Sequence, residues 1–211
     1  MLIMTGGAFG QDVAARITRH HPATVIAADD APAPTLAMLD GHEMLLFASW
    51  RPYLQLARQM DNLCHQKGVP WMPCEVSGTT LTCGPLIVPG SGTGCYHCLQ
   101  ARTDAHQRTG DRTLVLRQAY AADPRLGPAG HTGPMAQIAA AALLEAIAQI
   151  AAGRPADGAF RKVDLLTGTV LETELIPLHD CPRCRQLPQG KAATGRFVET
   201  MVPALERILM A

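Results

Sequence analysis

Cys95-Tyr96-His97-Cys98 and Cys181-Pro182-Arg183-Cys184 are the stretches of this 211-residue chain whose residue types and spacing promise chemistry. A Cys-x-x-Cys pair sets two thiolates at the bite of one tetrahedral ion. Two such pairs close a four-sulfur shell, the donor set of structural zinc. Such a shell leaves no position for water or substrate, so the expected metal is a structural Zn(II) held by Cys95, Cys98, Cys181 and Cys184. Disulfides, an iron–sulfur cluster and unliganded thiols are the other uses open to the quartet. Residues 99–180 separate the two pairs, so the ion would staple distant segments rather than centre a compact zinc finger. Cys64, Cys74 and Cys83 stand apart from the pairs and read as small core side chains.

A second candidate lies at the start of the chain. Leu2-Ile3-Met4 leads into the turn Thr5-Gly6-Gly7-Ala8-Phe9-Gly10, and Asp29-Asp30 closes the next apolar run. In a dinucleotide-binding unit, a glycine turn opens a helix that faces the pyrophosphate, and an acid about 20 residues on holds the ribose. Gly7 and Gly10 fill the second and third glycine positions of that frame, while Thr5 occupies the first. The site around Gly7, Gly10, Asp29 and Asp30 therefore reads as a degenerate nucleotide site, and Gly10 as a point of close helix–strand packing. The histidines suggest less. His97 would flank the metal, His131 caps a helix, His179 precedes Cys181 and His20-His21 ends a helix.

The elements that must position these groups alternate between strand and helix. A helix is expected over 12–20 with Val13 and Ile17 on one face, strands over 24–28 and 43–48, and a helix over 52–67 stopped by Gly68. Val69-Pro70-Trp71-Met72-Pro73 enters a strand that its prolines assign to an edge or an irregular path. A strand over 79–88 follows, broken at Gly84-Pro85, then a glycine-rich loop that delivers Cys95. A short helix over 99–108, a polar segment, and an alanine-rich helix over 134–150 behind Thr132 lead to two β-rich stretches, 160–166 and 169–178, joined at Thr167-Gly168. After the linker 188–190, Phe197, Met201, Leu205 and Ile208 share one face of a C-terminal helix.

Composition narrows the partners. Eighteen basic and 18 acidic residues balance to zero, which argues against nucleic acid and anionic membranes. No secretory signal opens the chain, and Gln137, Glu145 and Gln149 interrupt the one long apolar run. A cytoplasmic, reducing location is expected, with the low charge favouring a homo-oligomer or partner subunit.

The glycine turn in a βαβ unit, the strand ending Gly84-Pro85-Leu86-Ile87-Val88-Pro89, the motif Cys95-Tyr96-His97-Cys98-Leu99, a helix, a β-hairpin and Cys181-Pro182-Arg183-Cys184 together resemble the superfamily of ubiquitin-activating enzymes and their bacterial relatives ThiF and MoeB. Within it the chain resembles the divergent ThiF-like proteins of azole-forming peptide biosynthesis, of the cyclodehydratase-partner or leader-peptide-binding type. The resemblance implies an α/β fold, a Rossmann-like doubly wound sheet with a C-terminal β-hairpin and a four-cysteine zinc site. It implies a body over 1–187 and a linker and helix over 188–211.

Active members of the superfamily adenylate a C-terminal carboxylate, which requires cations and a metal-holding acid near the phosphates. They carry an Asn-Leu-x-Arg-Gln segment, a lysine and an Asp-Asn step. Here Ala31-Pro32-Ala33-Pro34-Thr35 follows Asp29-Asp30, Ser49-Trp50-Arg51 stands where the magnesium-binding acid belongs, and Lys67 lies at a helix end. The resemblance thus implies a chain that does not use ATP itself and has no catalytic residues. It would support a YcaO-type enzyme that uses ATP to form azolines on a precursor peptide. Because the chain begins at the strand itself, leader recognition is expected to fall to another chain, and precursor contact to be direct or through that chain. The alternative is an active adenylating enzyme using Asp29 or Asp30 and Arg51. Cys83 precedes the crossover region where some active relatives place a thiol, without a supporting motif.

Overall fold

The computed structural model describes residues 1–29, 33–106, 110–123, 126–127, 130–153, 157–179, 181 and 183. Asp30, Cys184 and the expected linker and helix of 188–211 lie outside the described residues.

Apolar runs without polar alternation form the centre of the sheet. β1 (Leu2–Gly6) and β3 (Leu45–Ser49) are buried at every position, the signature of strands covered on both faces. β2 (Thr24–Ala27) lies parallel to β1 on one side and β3 parallel on the other, and β4 (Trp71–Ser77) continues the parallel set beside β3. β5 (Thr80–Cys83), β6 (Ala159–Asp164) and β7 (Val170–Glu174) then add antiparallel, giving a seven-stranded mixed sheet in the order β2-β1-β3-β4-β5-β6-β7.

Helices cover both faces. α1 (Gly7–Thr18) and α5 (Gly133–Ala151) bury Val13, Ile17, Ala139 and Leu143 against Ile3, Leu46, Met72 and Leu81. α2 (Leu54–Lys67) buries Ala57, Met60 and Cys64 against Leu2, Leu45, Phe47 and Trp71 on the opposite face, beside α3 (Tyr96–His106). α4 (Gly110–Ala122) follows α3. α5 is long and apolar enough to cross a bilayer by length and composition, and its alanines bury against α1 and the sheet.

The chain leaves β1 toward β2 on one side and reaches β3 on the other, so the carboxyl ends of β1 and β3 form the topological switch point of the parallel strands. Ligands of such sheets bind there. Three expectations are corrected in this region. The first helix begins at Gly7 rather than Asp12, because Gly7 takes φ +63° directly after β1. The proline-bearing strand is interior. The carbonyl of Pro73 accepts from Gly84 N–H, and the β4–β5 register begins at Cys74, so the missing N–H falls at the ladder's end. The expected polar segment after the first cysteine pair is α4.

Candidate functional site

The cysteine cluster forms where the loop before α3 meets the segment leaving β7. A Cβ at Gly94 would lie 2.6 Å from Leu175 Cγ, so glycine is what lets this loop lie against the end of β7. Arg102 on α3 donates to the carbonyls of Ile176 (3.0 Å) and Pro177 (3.3 Å), holding the returning chain. Cys95, Cys98 and Cys181 are thereby brought together, all buried, with sulfur separations of 3.8 Å for Cys95–Cys98 and 3.6 Å for Cys95–Cys181. All three sulfurs lie within 4.8 Å of one another.

Zinc–sulfur bonds of about 2.3 Å imply a tetrahedral edge of about 3.8 Å, so these separations fit one ion. The donors are free thiols, and an all-sulfur set suits a soft tetrahedral metal. The N–H of Leu178 also points at Cys98 Sγ, 3.4 Å away, a contact that favours a thiolate. His97 between the two cysteines is exposed, and so is His179.

A buried carboxylate absent from the sequence expectations backs this cluster. Asp61 of α2 is only 2% exposed; its Oδ1 accepts from Trp71 Nε1 (3.1 Å) and Tyr96 N–H (3.3 Å), and Oδ2 pairs with the guanidinium of Arg183. Burial raises the carboxyl's pKa, Arg183 opposes that, and the nearby Cys95 adds to it. Arg183 lies inside the second cysteine motif, so this ion pair ties the motif to α2. One signal was available: Ala57, Asp61 and Cys64 share a helical stripe that otherwise faces the core.

A chain of hydrogen bonds closes over the glycine turn. Gly7 N–H donates to Asp29 Oδ2 (2.9 Å), Tyr53 Oη donates to Asp29 Oδ1 (2.5 Å), and Trp50 Nε1 donates to Tyr53 Oη (2.8 Å). A carboxylate of this chain therefore sits at the N-terminus of α1, where a bound pyrophosphate would accept the same N–H. Burial and then the Asp29 carboxylate push the Tyr53 phenol up to about 12. The Trp50 indole covers the turn so closely that a Cβ at Gly7 would meet it at 2.5 Å. Gly10 has a separate duty: its Cβ would lie 2.3 Å from the Ala48 carbonyl, so α1 approaches β3 only through glycine.

Beside this chain of hydrogen bonds lies a cavity of about 570 Å³ between the end of β1, α2 and α4. Arg51 at its wall is 3% exposed, its guanidinium 4.2 Å from the Tyr53 ring centre and 4.8 Å from that of Tyr120. Across Arg117 and Tyr120 a second cavity of about 360 Å³ contains Glu75, Thr82, Gln100 and Lys162. Glu75, Thr82 and Lys162 are cross-strand partners in one row. Burial pushes the Glu75 carboxyl up to about 7 against the pull of Lys162 and Arg117.

The remaining candidates have local partners. His131 meets Asp12 at 3.1 Å, and Arg16 joins the same carboxylate, linking α1 to the start of α5. Lys67 pairs with Asp40 at 2.6 Å on the surface. Cys83 is buried, 3.4 Å from Cys74 across β4–β5, and that contact together with burial holds the Cys74 thiol well above its ordinary pKa. Cys64 is buried under α2, where desolvation likewise raises its pKa.

No protein-family profile matches the sequence, and no match was found among curated proteins. Solved structures do share the fold. The heterocyclase TruD aligns at TM-score 0.57 and 21% identity over 87% of this chain and 27% of its own. A heterocyclase in complex with substrate and cofactor aligns at 0.58 and 18% over 87% and 24%. MccB of E. coli, solved with ATP, aligns at 0.59 and 14% over 88% and 67%. The chain spans about a quarter of the length of the two heterocyclases.

Proposed function

We propose that this chain is a non-catalytic ThiF-like subunit that supports a YcaO-type enzyme in ATP-dependent azoline formation on a ribosomal precursor peptide. One observation carries the reading: the atoms that would receive a nucleotide's phosphates and ribose are already bound to each other. Gly7 N–H is committed to Asp29, Asp29 to Tyr53, and Trp50 covers the turn. Charge developing between phosphoryl oxygens would need cations and a metal-holding acid at that point. Ser49-Trp50-Arg51 supplies an indole and a guanidinium stacked on tyrosines instead.

In this reading the chain's residues bind and orient. The cysteine cluster, completed by Cys184, holds a structural Zn(II), and the bound ion supplies cross-linking between the loop before α3 and the segment after β7. Arg183 and Asp61 keep that segment against α2, and Arg102 keeps its carbonyls in place. The body over 1–187 and a linker and helix over 188–211 form a cytoplasmic, homo-oligomeric partner of the enzyme. Precursor contact is made directly or through another chain. The fold shared with TruD, and with MccB, which has also been solved with MccA, supports a peptide-modifying context.

Reconstitution tests the proposal. The YcaO-type enzyme, precursor and ATP are assayed for azoline formation with and without this chain, and the chain alone for ATP–pyrophosphate exchange. Stimulated azoline formation with no exchange by the chain alone is expected; exchange by the isolated chain that depends on Asp29 would establish the adenylating alternative.

A further inference from the structure

Across β4, β5 and β6 the sheet has one apolar face and one polar face. Cys74, Val76, Leu81, Cys83 and Val163 pack into the core shared with α1 and α5. Strand alternation then sets Glu75, Thr82 and Lys162 on the opposite face, in one cross-strand row. Side chains of α3 and α4 roof that row and enclose a cavity of about 360 Å³, within the roughly 300–1,000 Å³ usual for ligand sites. Two acceptors in its wall lack donors. Gln100 of α3 is only 7% exposed, and its Oε1 has no hydrogen-bond partner among the described residues. The Glu75 carboxyl also accepts no hydrogen bond among the described residues, and Lys162 and Arg117 act on it only through their fields. Arg117 is already paired with Asp104 at 2.7 Å. Lys162 makes no ion pair among the described residues, and its Nζ lies 5.4 Å from the ring centre of Phe160, another wall residue.

From these two orphaned acceptors and the lysine across the row we infer that the cavity binds a free apolar amino acid as its zwitterion. The ligand's ammonium donates to the Glu75 carboxylate and Gln100 Oε1, and its carboxylate meets Lys162. The inference stands apart from the partner-subunit reading, which needs no small ligand. Native interiors leave few buried polar groups unsatisfied, and an ammonium brings three donors, enough for both acceptors. With Thr82 of β5 between them, Glu75 and Lys162 stand two strand spacings apart, about 10 Å at the backbone. That span leaves room for a ligand whose opposite charges lie a few bonds apart. Leu54, Leu99 and Phe160 line the rest of the cavity and suit an apolar side chain. An amine without a carboxylate would leave its own charge facing Lys162, and an anion without an ammonium would leave both acceptors unfilled. The ammonium takes the carboxylate form of Glu75. Burial holds that carboxyl near 7, faced by Lys162 of β6, Arg117 of α4 and the Tyr96 phenol of α3. Binding therefore tightens as pH rises through 7.

The test is isothermal titration calorimetry of the full zinc-loaded chain with leucine, methionine and phenylalanine at millimolar concentration. Saturable binding of at least one is expected, with affinity rising about tenfold from pH 6 to pH 8 as the carboxyl ionises. The N-acetyl form of the bound amino acid, which lacks the ammonium, should not bind. Its amide, which lacks the carboxylate, should bind about tenfold more weakly or worse. Gln100→Met and Glu75→Gln, which keep the size of each side chain, should each weaken binding by about tenfold or more. Both variants are compared with the wild type at equal metal content and Tm, and the ligand series on the wild type decides the matter without them. Absence of saturable binding for all three amino acids, N-acetyl and free forms binding alike, or an affinity independent of pH would each overturn the inference.

Discussion

The two ends of this sheet carry the two motifs of the chain that its spacing singles out, and the contacts around them differ. At the far end, the cysteine motifs arrive with sulfurs at tetrahedral spacing, with supporting contacts from Leu178 N–H, Arg102 and the Arg183–Asp61 pair. At the switch point, the glycine turn persists as geometry while its ligand-facing atoms are taken by Asp29, Tyr53 and Trp50. A glycine turn can serve packing as well as a ligand, as Gly10 does against Ala48. A metal site has no such second use. Its ligands make sense together or not at all.

Four changes probe that contrast, in descending order of effect. Cys98→Ser should lose the metal and lower Tm by about 10 °C or more, because metal affinity is folding free energy in such sites. Retained zinc with unchanged melting would remove the staple. Asp61→Ala leaves the Arg183 guanidinium without its carboxylate and strands the Trp71 and Tyr96 N–H donors. A loss of about 3–5 kcal/mol is expected by denaturant unfolding, with weakened metal retention under chelator challenge. Gly10→Ala, which sets a methyl against the Ala48 carbonyl, should cost about 1–3 kcal/mol while leaving metal content at the wild-type level. This variant separates the two ends most cleanly.

The smallest effect is a pH dependence. The Glu75 carboxyl is raised from 4.5 to about 7 in the fold, so the folded protein holds its proton more tightly than the unfolded chain does. Stability from this group is complete below pH 4.5 and is lost as pH rises through 7. Glu75→Gln should flatten that part of the stability profile measured by denaturant titration, and an unchanged slope would refute the assignment to Glu75.

Legibility in the sequence follows the range of the interaction. The Cys-x-x-Cys spacings, Gly68 as the stop of α2, Thr132 before α5 and the uninterrupted apolar runs of β1 and β3 are local patterns, and each was readable. The start of α1 was not, because Gly7's positive φ compresses strand, turn and helix into consecutive residues. Nor was α4, whose apolar residues follow no helical face. Trp50 against Gly7 and Arg183 against Asp61 join residues brought together only by the fold, and spacing carries no trace of them. Of the residues singled out in the sequence, Cys95, Cys98 and Cys181 lie together, Gly7 meets Asp29 and Gly10 packs on Ala48, while Asp30 and Cys184 lie outside the described residues.

ATP–pyrophosphate exchange by the isolated zinc-loaded chain, with candidate precursor peptides and millimolar Mg-ATP, tests the central claim most directly. The account predicts no exchange above the protein-free background. Peptide-stimulated exchange that disappears in Asp29→Ala would contradict it and make the switch point an active site.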